Sequence, residues 1–219
     1  MIFVNYKTFE ESSGPKALTL TKALEEAAHQ SQVKIIPVVQ ILDAEMVVSG
    51  TTLEVWIQHV DPVSYGAHTG WTLPEEAARV GVSGVFLNHS EHKFSDFEAL
   101  RIANEKAMSA NLKTLIFAGN LEELKNICSL APTYVAYEPP ELVGSTDTSV
   151  ARSQPEIISQ ASEIARSAGL PLVVGAGVSS VEDVRKSVEL GAVGVAIATA
   201  IVKNPDPKAK LIELTEGFK

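Results

Sequence analysis

Three ionisable side chains in this sequence stand where a short apolar run stops. Lys7 closes IFVNYK, His89 follows GVFLN, and Glu138 follows YVAY and is itself followed by Pro139 and Pro140. An ammonium, an imidazole and a carboxylate are groups that move protons and balance developing negative charge. Taken singly, each also suits a solvated or hydrogen-bonded turn. What sets them apart is that three apolar runs end in the same way. His89 and His92 in HSEH could be two metal ligands, but no third ligand is evident, and no metal site is assigned. Two further stretches, Gly175-Ala176-Gly177 and Ala198-Thr199-Ala200, consist of small residues. Backbone N–H groups approach an anion closely only where side chains are small, so both could seat one; GAG alone fits a tight strand-to-helix turn equally well.

Such groups act together only if the elements carrying them converge. Eight apolar or β-branched runs read as strands: Ile2–Asn5, Lys34–Val39, Glu54–His59, Gly84–Asn88, Leu112–Ala118, Tyr134–Tyr137, Pro171–Val174 and Gly194–Ile197. Between them lie segments of helical periodicity, among them Gly14–Ala28, Phe97–Ala110, Leu121–Leu130, Pro155–Ala168 and Val181–Leu190, with a last helix at about Pro207–Glu216 expected to pack beside the first. Pro155 opens one helix, and Gly169 and Gly191 follow two others. This alternation predicts an α/β fold, a single (β/α)₈ barrel over residues 1–219, rather than an open doubly wound sheet. A typical barrel runs to about 250 residues, so most loops must be minimal. The two longer ones, DPVSYGAHTGWTLP after the third strand and PPELVGSTDTSVARSQ after the sixth, then become informative. Pro37 counts against the second strand, since a central strand uses every ladder donor.

In such a barrel chemistry sits at the C-terminal ends of the strands. There the first strand delivers Asn5 and Lys7, the fourth Asn88, His89, Ser90 and Glu91, the sixth Glu138, and the last two the small-residue turns. The chain is 45% hydrophobic and 21% charged, as expected of a filled core. A net charge of -9 argues against nucleic acid as the main partner but leaves small anions possible. The one cysteine, Cys128, forms no internal disulfide and reads as a buried structural thiol. No apolar run approaches the roughly 20 residues of a membrane span, and MIFVNYK lacks the features of a signal peptide; a cytoplasmic protein is expected.

The set NYK, NHSE, YEPPELVG and GAG, in this order over nearly the whole chain, resembles the triosephosphate isomerase family, and EPPELVG with GAHTG is similar to its compact archaeal branch. The resemblance implies interconversion of dihydroxyacetone phosphate and glyceraldehyde 3-phosphate through an enediolate, without a cofactor. It implies Glu138 as base on a proline-stiffened support, and a neutral His89 donating to the substrate oxygens, which is the known division of roles in that family. Lys7 would stabilise the enediolate oxygen, Asn5 would bind beside it, and Glu91 and Ser90 would support them, with a helix N-terminus at Ser90–Glu91 disfavouring the imidazolium. Gly175, Ala176, Gly177, Ala198 and Thr199 would bind the phosphate together with a closing loop that includes Gly144 and Ser145 and reaches Ser149. Loop 66–70, with Gly66, His68 and Thr69, would reach a neighbouring subunit of a dimer or tetramer. Three departures stand out: GSTDTS in place of a GTG-type start, Asp147 in the closing loop, and Ala200 where a glycine is usual. They predict weaker phosphate binding. Alternatives are another sugar-phosphate isomerase, a phosphoribosyl-handling or indole-type barrel, and a catalytically weak or silent barrel that only binds phosphate.

Overall fold

In the computed structural model, which describes residues 1–139, 153 and 155–219, eight parallel strands pair in sequence order and close into a barrel. They are β1 (Ile2–Asn5), β2 (Ile35–Val39), β3 (Trp56–Ile57), β4 (Gly84–Leu87), β5 (Lys113–Ala118), β6 (Tyr134–Tyr137), β7 (Leu172–Val174) and β8 (Gly194–Ile197). The helices are α1 (Pro15–Ser31), α2 (Ile41–Gly50), α3 (Pro74–Arg79), α4 (Phe97–Ser109), α5 (Leu121–Cys128), α6 (Pro155–Ser167), α7 (Val181–Glu189), α8 (Thr199–Val202) and α9 (Pro207–Thr215). None among the described residues is long and apolar enough to cross a membrane.

The strands are apolar on both faces because each face is buried by something different. Ile2 and Val4 of β1, Ile35 and Val39 of β2, and Ile57 of β3 turn outward into the layer shared with the helices. Phe3, Ile36, Val38, Trp56, Phe86, Leu115 and Phe117 fill the barrel itself. The interior is an aromatic pile: Phe3 meets Trp56 edge-on at 5.0 Å and Phe86 meets Phe117 at 4.8 Å between centroids. Trp56 fits because its register partner is Gly84. A Cβ at residue 84 would lie 2.3 Å from the indole.

Pro37 does sit within β2, and the register explains how. Ile2 N–H bonds Lys34 O and Tyr6 N–H bonds Val38 O, so even-numbered residues of β2 face β1. The donor that Pro37 lacks would point toward β3, where pairing starts only at Val38↔Trp56. β3 is correspondingly shorter than the run Glu54–His59 suggests. Cys128 is half-buried rather than buried, because it closes α5 at the helix edge; desolvation raises its thiol pKa.

Capping fixes the helix starts. Asp96 accepts from Ala99 N–H at 2.8 Å, Asn120 from Glu123 N–H at 2.9 Å, and Ser180 with Asp183 forms a reciprocal capping box. Gly169 and Gly191 take positive φ, 71° and 102°, just past α6 and α7. α9 does return beside α1, where Lys208 pairs with Glu26 at 2.6 Å.

Glu25 of α1 ties the outer layer to the loop before β3. Its carboxylate accepts from Lys22, from both the N–H and the hydroxyl of Thr52, and from the Thr51 hydroxyl, and these donors, Lys22 first, lower its pKa from 4.5 to about 2. Replacing it, Glu25→Gln, should cost about 1–3 kcal/mol at neutral pH. The native pKa is the depressed one, so the contribution is complete above pH 4.5 and fades as pH falls toward about 2. Urea unfolding of both proteins should therefore show a stability gap that closes across that window.

Candidate active site

Strand parity delivers the polar residues at the barrel mouth. Asn5 lies two positions beyond Phe3, Gln58 two beyond Trp56, and Glu138 two beyond Ala136, so each continues the inward-facing side of its strand. Lys7 turns at the end of β1 with φ of 48°, a left-handed conformation that costs a residue with a Cβ about 1 kcal/mol or more. Hydrogen bonds hold it there. Asn5 Oδ1 accepts from Lys7 N–H at 3.0 Å and Gln58 Nε2 donates to Lys7 O at 2.9 Å. The Lys7 ammonium, mostly buried, meets Glu91 Oε1 at 2.7 Å.

Asn88, also at positive φ (59°), turns the chain from β4 into the segment that carries His89. The imidazole packs edge-on against Phe117 at 4.9 Å. Its Nδ1 accepts the N–H of Glu91 at 3.2 Å. A nitrogen that accepts carries no proton, so this hydrogen bond assigns a neutral ring protonated at Nε2. The expected helix N-terminus at Ser90–Glu91 is not there. Residues 90–96 form turns, and α4 starts at Phe97 because Asp96 supplies the capping oxygen. The single Glu91 N–H does what a helix end was expected to do.

Glu138 is 7% exposed, and its N–H bonds Ala118 O at 2.9 Å. Its Oε2 lies 3.1 Å from His89 Nε2, yet no donor among the described residues is aligned on that buried oxygen. Gly175 stands just past β7, beside Glu138. Its N–H is spent on Tyr137 O at 3.1 Å, and a Cβ there would come within 2.9 Å of Glu138 Oε1. What this glycine provides is room for the carboxylate.

These groups share a pocket of about 190 Å³. Asn5, Lys7, His89 and Glu138 line it together with the small residues Ala176, Gly177, Ala198, Thr199 and Ala200. Phe86, Phe117, Val178, Ser179, Ala196 and Ile197 complete the lining without having been singled out in the sequence as site residues. Ser90 is not part of it, and its buried hydroxyl has no partner among the described residues. Gln58 was hidden behind its neighbour His59, although counting by twos from Trp56 reaches it. Gly144 and Ser145, with the rest of the closing loop through Ser149, lie outside the described residues. His92 stacks on His59 at 4.1 Å, and burial, then His92, lowers the pKa of His59 against the pull of Asp61. Among the described residues no three His, Cys, Asp or Glu side chains are placed to hold a metal ion. Residues 64–71, which include loop 66–70, are exposed, with Tyr65 and Trp71 at 69% and 53%.

The contact at Gly175 makes a sharp expectation. In Gly175→Ala the new methyl displaces the Glu138 carboxylate, and a displacement of this kind lowers kcat by about 10- to 100-fold. Because Gly175 adjoins Ala176 and Gly177 of the pocket lining, the expected signature is a fall in kcat that exceeds any rise in KM; steady-state kinetics of the purified variant checks both values.

A family model described as Triosephosphate isomerase matches residues 1–215. Relatives bearing that name include proteins of Methanobrevibacter smithii (34% identical, covering 98% of this chain and 96% of the relative), Methanocaldococcus jannaschii (33%, 98% and 98%) and Cenarchaeum symbiosum (36%, 100% and 97%). With the closed barrel and the strand-end pocket already described, the match over nearly every residue leads to one conclusion: this chain belongs to the triosephosphate isomerase family.

Proposed function

We propose that this chain interconverts dihydroxyacetone phosphate and glyceraldehyde 3-phosphate, with Glu138 as the base, His89 as the neutral proton donor and Lys7 as the electrostatic partner of the enediolate. The observation that carries the assignment is the placing of the Glu138 carboxylate and His89 Nε2 3.1 Å apart in the pocket lining, with the opposite ring nitrogen committed to Glu91 N–H. A carboxylate removes the proton from the carbon beside the carbonyl while the Nε2 proton is shared with the carbonyl oxygen. Returning the first proton to the neighbouring carbon, while the proton of the substrate's original hydroxyl passes to Nε2 and restores the neutral ring, completes the exchange, so no atoms are lost and no cofactor is required. A neutral imidazole suits this role because a charged one is acid enough to give its proton up outright instead of sharing it.

Lys7 is the one cation among the described residues that line the pocket, in a chain whose net charge is -9. Its pairing with Glu91 keeps the ammonium extended toward the site. The phosphate is assigned to the small-residue wall formed by Ala176, Gly177, Ala198 and Thr199. Within α8, Ile201 and Val202 N–H bond Ala198 O, which leaves the N–H groups of Thr199 and Ala200 to serve an anion. Ala200 adds a methyl to the same wall. The subunit is assigned to a homo-oligomer, a dimer or tetramer, with loop 66–70 at the interface; the exposed rings of Tyr65 and Trp71 on either side of that loop support this. The single cysteine, with no partner for an internal disulfide, accords with a reducing compartment such as the cytoplasm.

The test is isomerisation of glyceraldehyde 3-phosphate, coupled to NADH oxidation, for wild type, Glu138→Gln and Lys7→Met purified identically. Loss of the base should lower kcat by about 10²–10⁴, and loss of the ammonium should cost about 10²–10³ in kcat/KM. Wild-type turnover no greater than that of Glu138→Gln would refute the assignment.

A further inference from the structure

The segment that carries His89 is fastened to the rest of the barrel at Asn88, and Asn88 is fastened in turn to a carboxylate outside the pocket. Asn88 is 5% exposed. Its amide donates to Phe117 O of β5 at 3.0 Å and to Glu123 Oε1 at 2.9 Å, and its oxygen accepts from Phe94 N–H at 3.4 Å. One side chain thus closes the turn from 88 to 94 and pins it to the neighbouring strand. Glu123 is itself rigidly based: its backbone N–H is held by the capping residue Asn120, its Oε2 accepts from Gly119 N–H at 2.7 Å, and Lys93 reaches Oε1 at 2.8 Å. Burial alone would raise the pKa of this carboxyl, yet the bonds from Lys93, Gly119 and Asn88 bring it below the ordinary value, so it stays ionised as an acceptor for all three.

We propose that Glu123 is a positioning residue for the isomerisation, fixing the orientation of His89 through Asn88. The inference rests on the function proposed above and extends it to a residue that does not line the pocket. The Asn88 backbone is left-handed, a conformation that a residue with a Cβ holds only where its surroundings over-determine it. Two anchors on one amide supply that constraint. Remove Glu123, and the Asn88 amide nitrogen keeps one acceptor, Phe117 O, beside the long bond from Phe94 N–H to its oxygen, while Lys93 loses its partner; the turn is then freer to roll, and His89 Nε2 shifts relative to Glu138. The small-residue part of the lining is not attached to this network, so ground-state binding is expected to survive.

The experiment compares wild type, Glu123→Ala, Asn88→Gly and the double variant. Glycine at residue 88 keeps the positive φ accessible while deleting the amide. Glu123→Ala should lower kcat about tenfold or more with KM within about twofold. The loss should not add to that of Asn88→Gly, because the two act as one unit. In protein with ¹⁵N-labelled histidine, the His89 ring resonances, identified by their disappearance in His89→Gln, should move in Glu123→Ala. If Glu123→Ala does not fold, Glu123→Gln replaces one acceptor oxygen by an amide that faces a donor, and it should show the same pattern to a smaller degree. Unchanged kcat, unmoved His89 resonances, or additive losses in the cycle would each overturn the proposal, even if thermal stability falls. Inactive wild type would instead defeat the functional assignment, and the His89 resonances would still report whether Glu123 positions the ring.

Discussion

Everything at the mouth of this barrel depends on side chains alternating strictly between two faces along a strand. Closure sends one set inward, where Phe3, Trp56, Phe86 and Phe117 pack into a solid interior, and the next inward positions after that layer have nothing above them but the pocket. Asn5, Gln58 and Glu138 are those positions. The aromatic layer is therefore more than filler: it is the floor on which the polar residues stand, and His89 rests directly on Phe117. A one-residue slip in any of these strands would replace its polar residue at the mouth by a neighbour that now faces outward, and between β3 and β4 the packing of Trp56 over Gly84 opposes such a slip.

Above that floor the site is organised around Glu91, which serves two neighbours with two different parts of itself. The side chain pairs with the Lys7 ammonium, and the backbone N–H sets the tautomer of His89. Charge and protonation state are thus referred to one short turn. The strained backbone at Lys7 and at Asn88 flanks that turn, and in both cases the strain is held by side-chain amides, Gln58 with Asn5 in one and Asn88 itself in the other. Local conformations that would cost energy in isolation persist because hydrogen bonds from other strands over-determine them.

The sequence alone made most of the barrel legible. β1, β6 and β8 occupy the expected residues. β3 contracted to Trp56–Ile57, because pairing partners rather than composition decide where a strand ends. α2 and α3 were not singled out: ILDAEMVVSG is too uniformly apolar to show a face, and PEEAAR is too short to show a period. The strand-end rule picked out Asn5, Lys7, His89 and Glu138, which share one pocket. What it could not reveal depends on register. The commitment of Gly175 N–H to Tyr137 O and the reach of Glu123 to Asn88 join residues whose relation exists only once strands are paired, while the N–H that replaces a helix end beside His89 comes from a local turn that the sequence pattern does not mark.

The chain's two tryptophans end up in opposite surroundings. Trp56 is fully enclosed in the aromatic interior, while Trp71 is half exposed beside the loop assigned to the subunit contact. Excited by the same light, the first emits from an apolar cage and the second from near water. Intrinsic fluorescence therefore carries two separable signals, a blue component that reports whether the barrel interior is intact and a red one that follows what approaches the exposed loop. Unfolding, and any contact made at that loop, can be followed in this protein without adding a label.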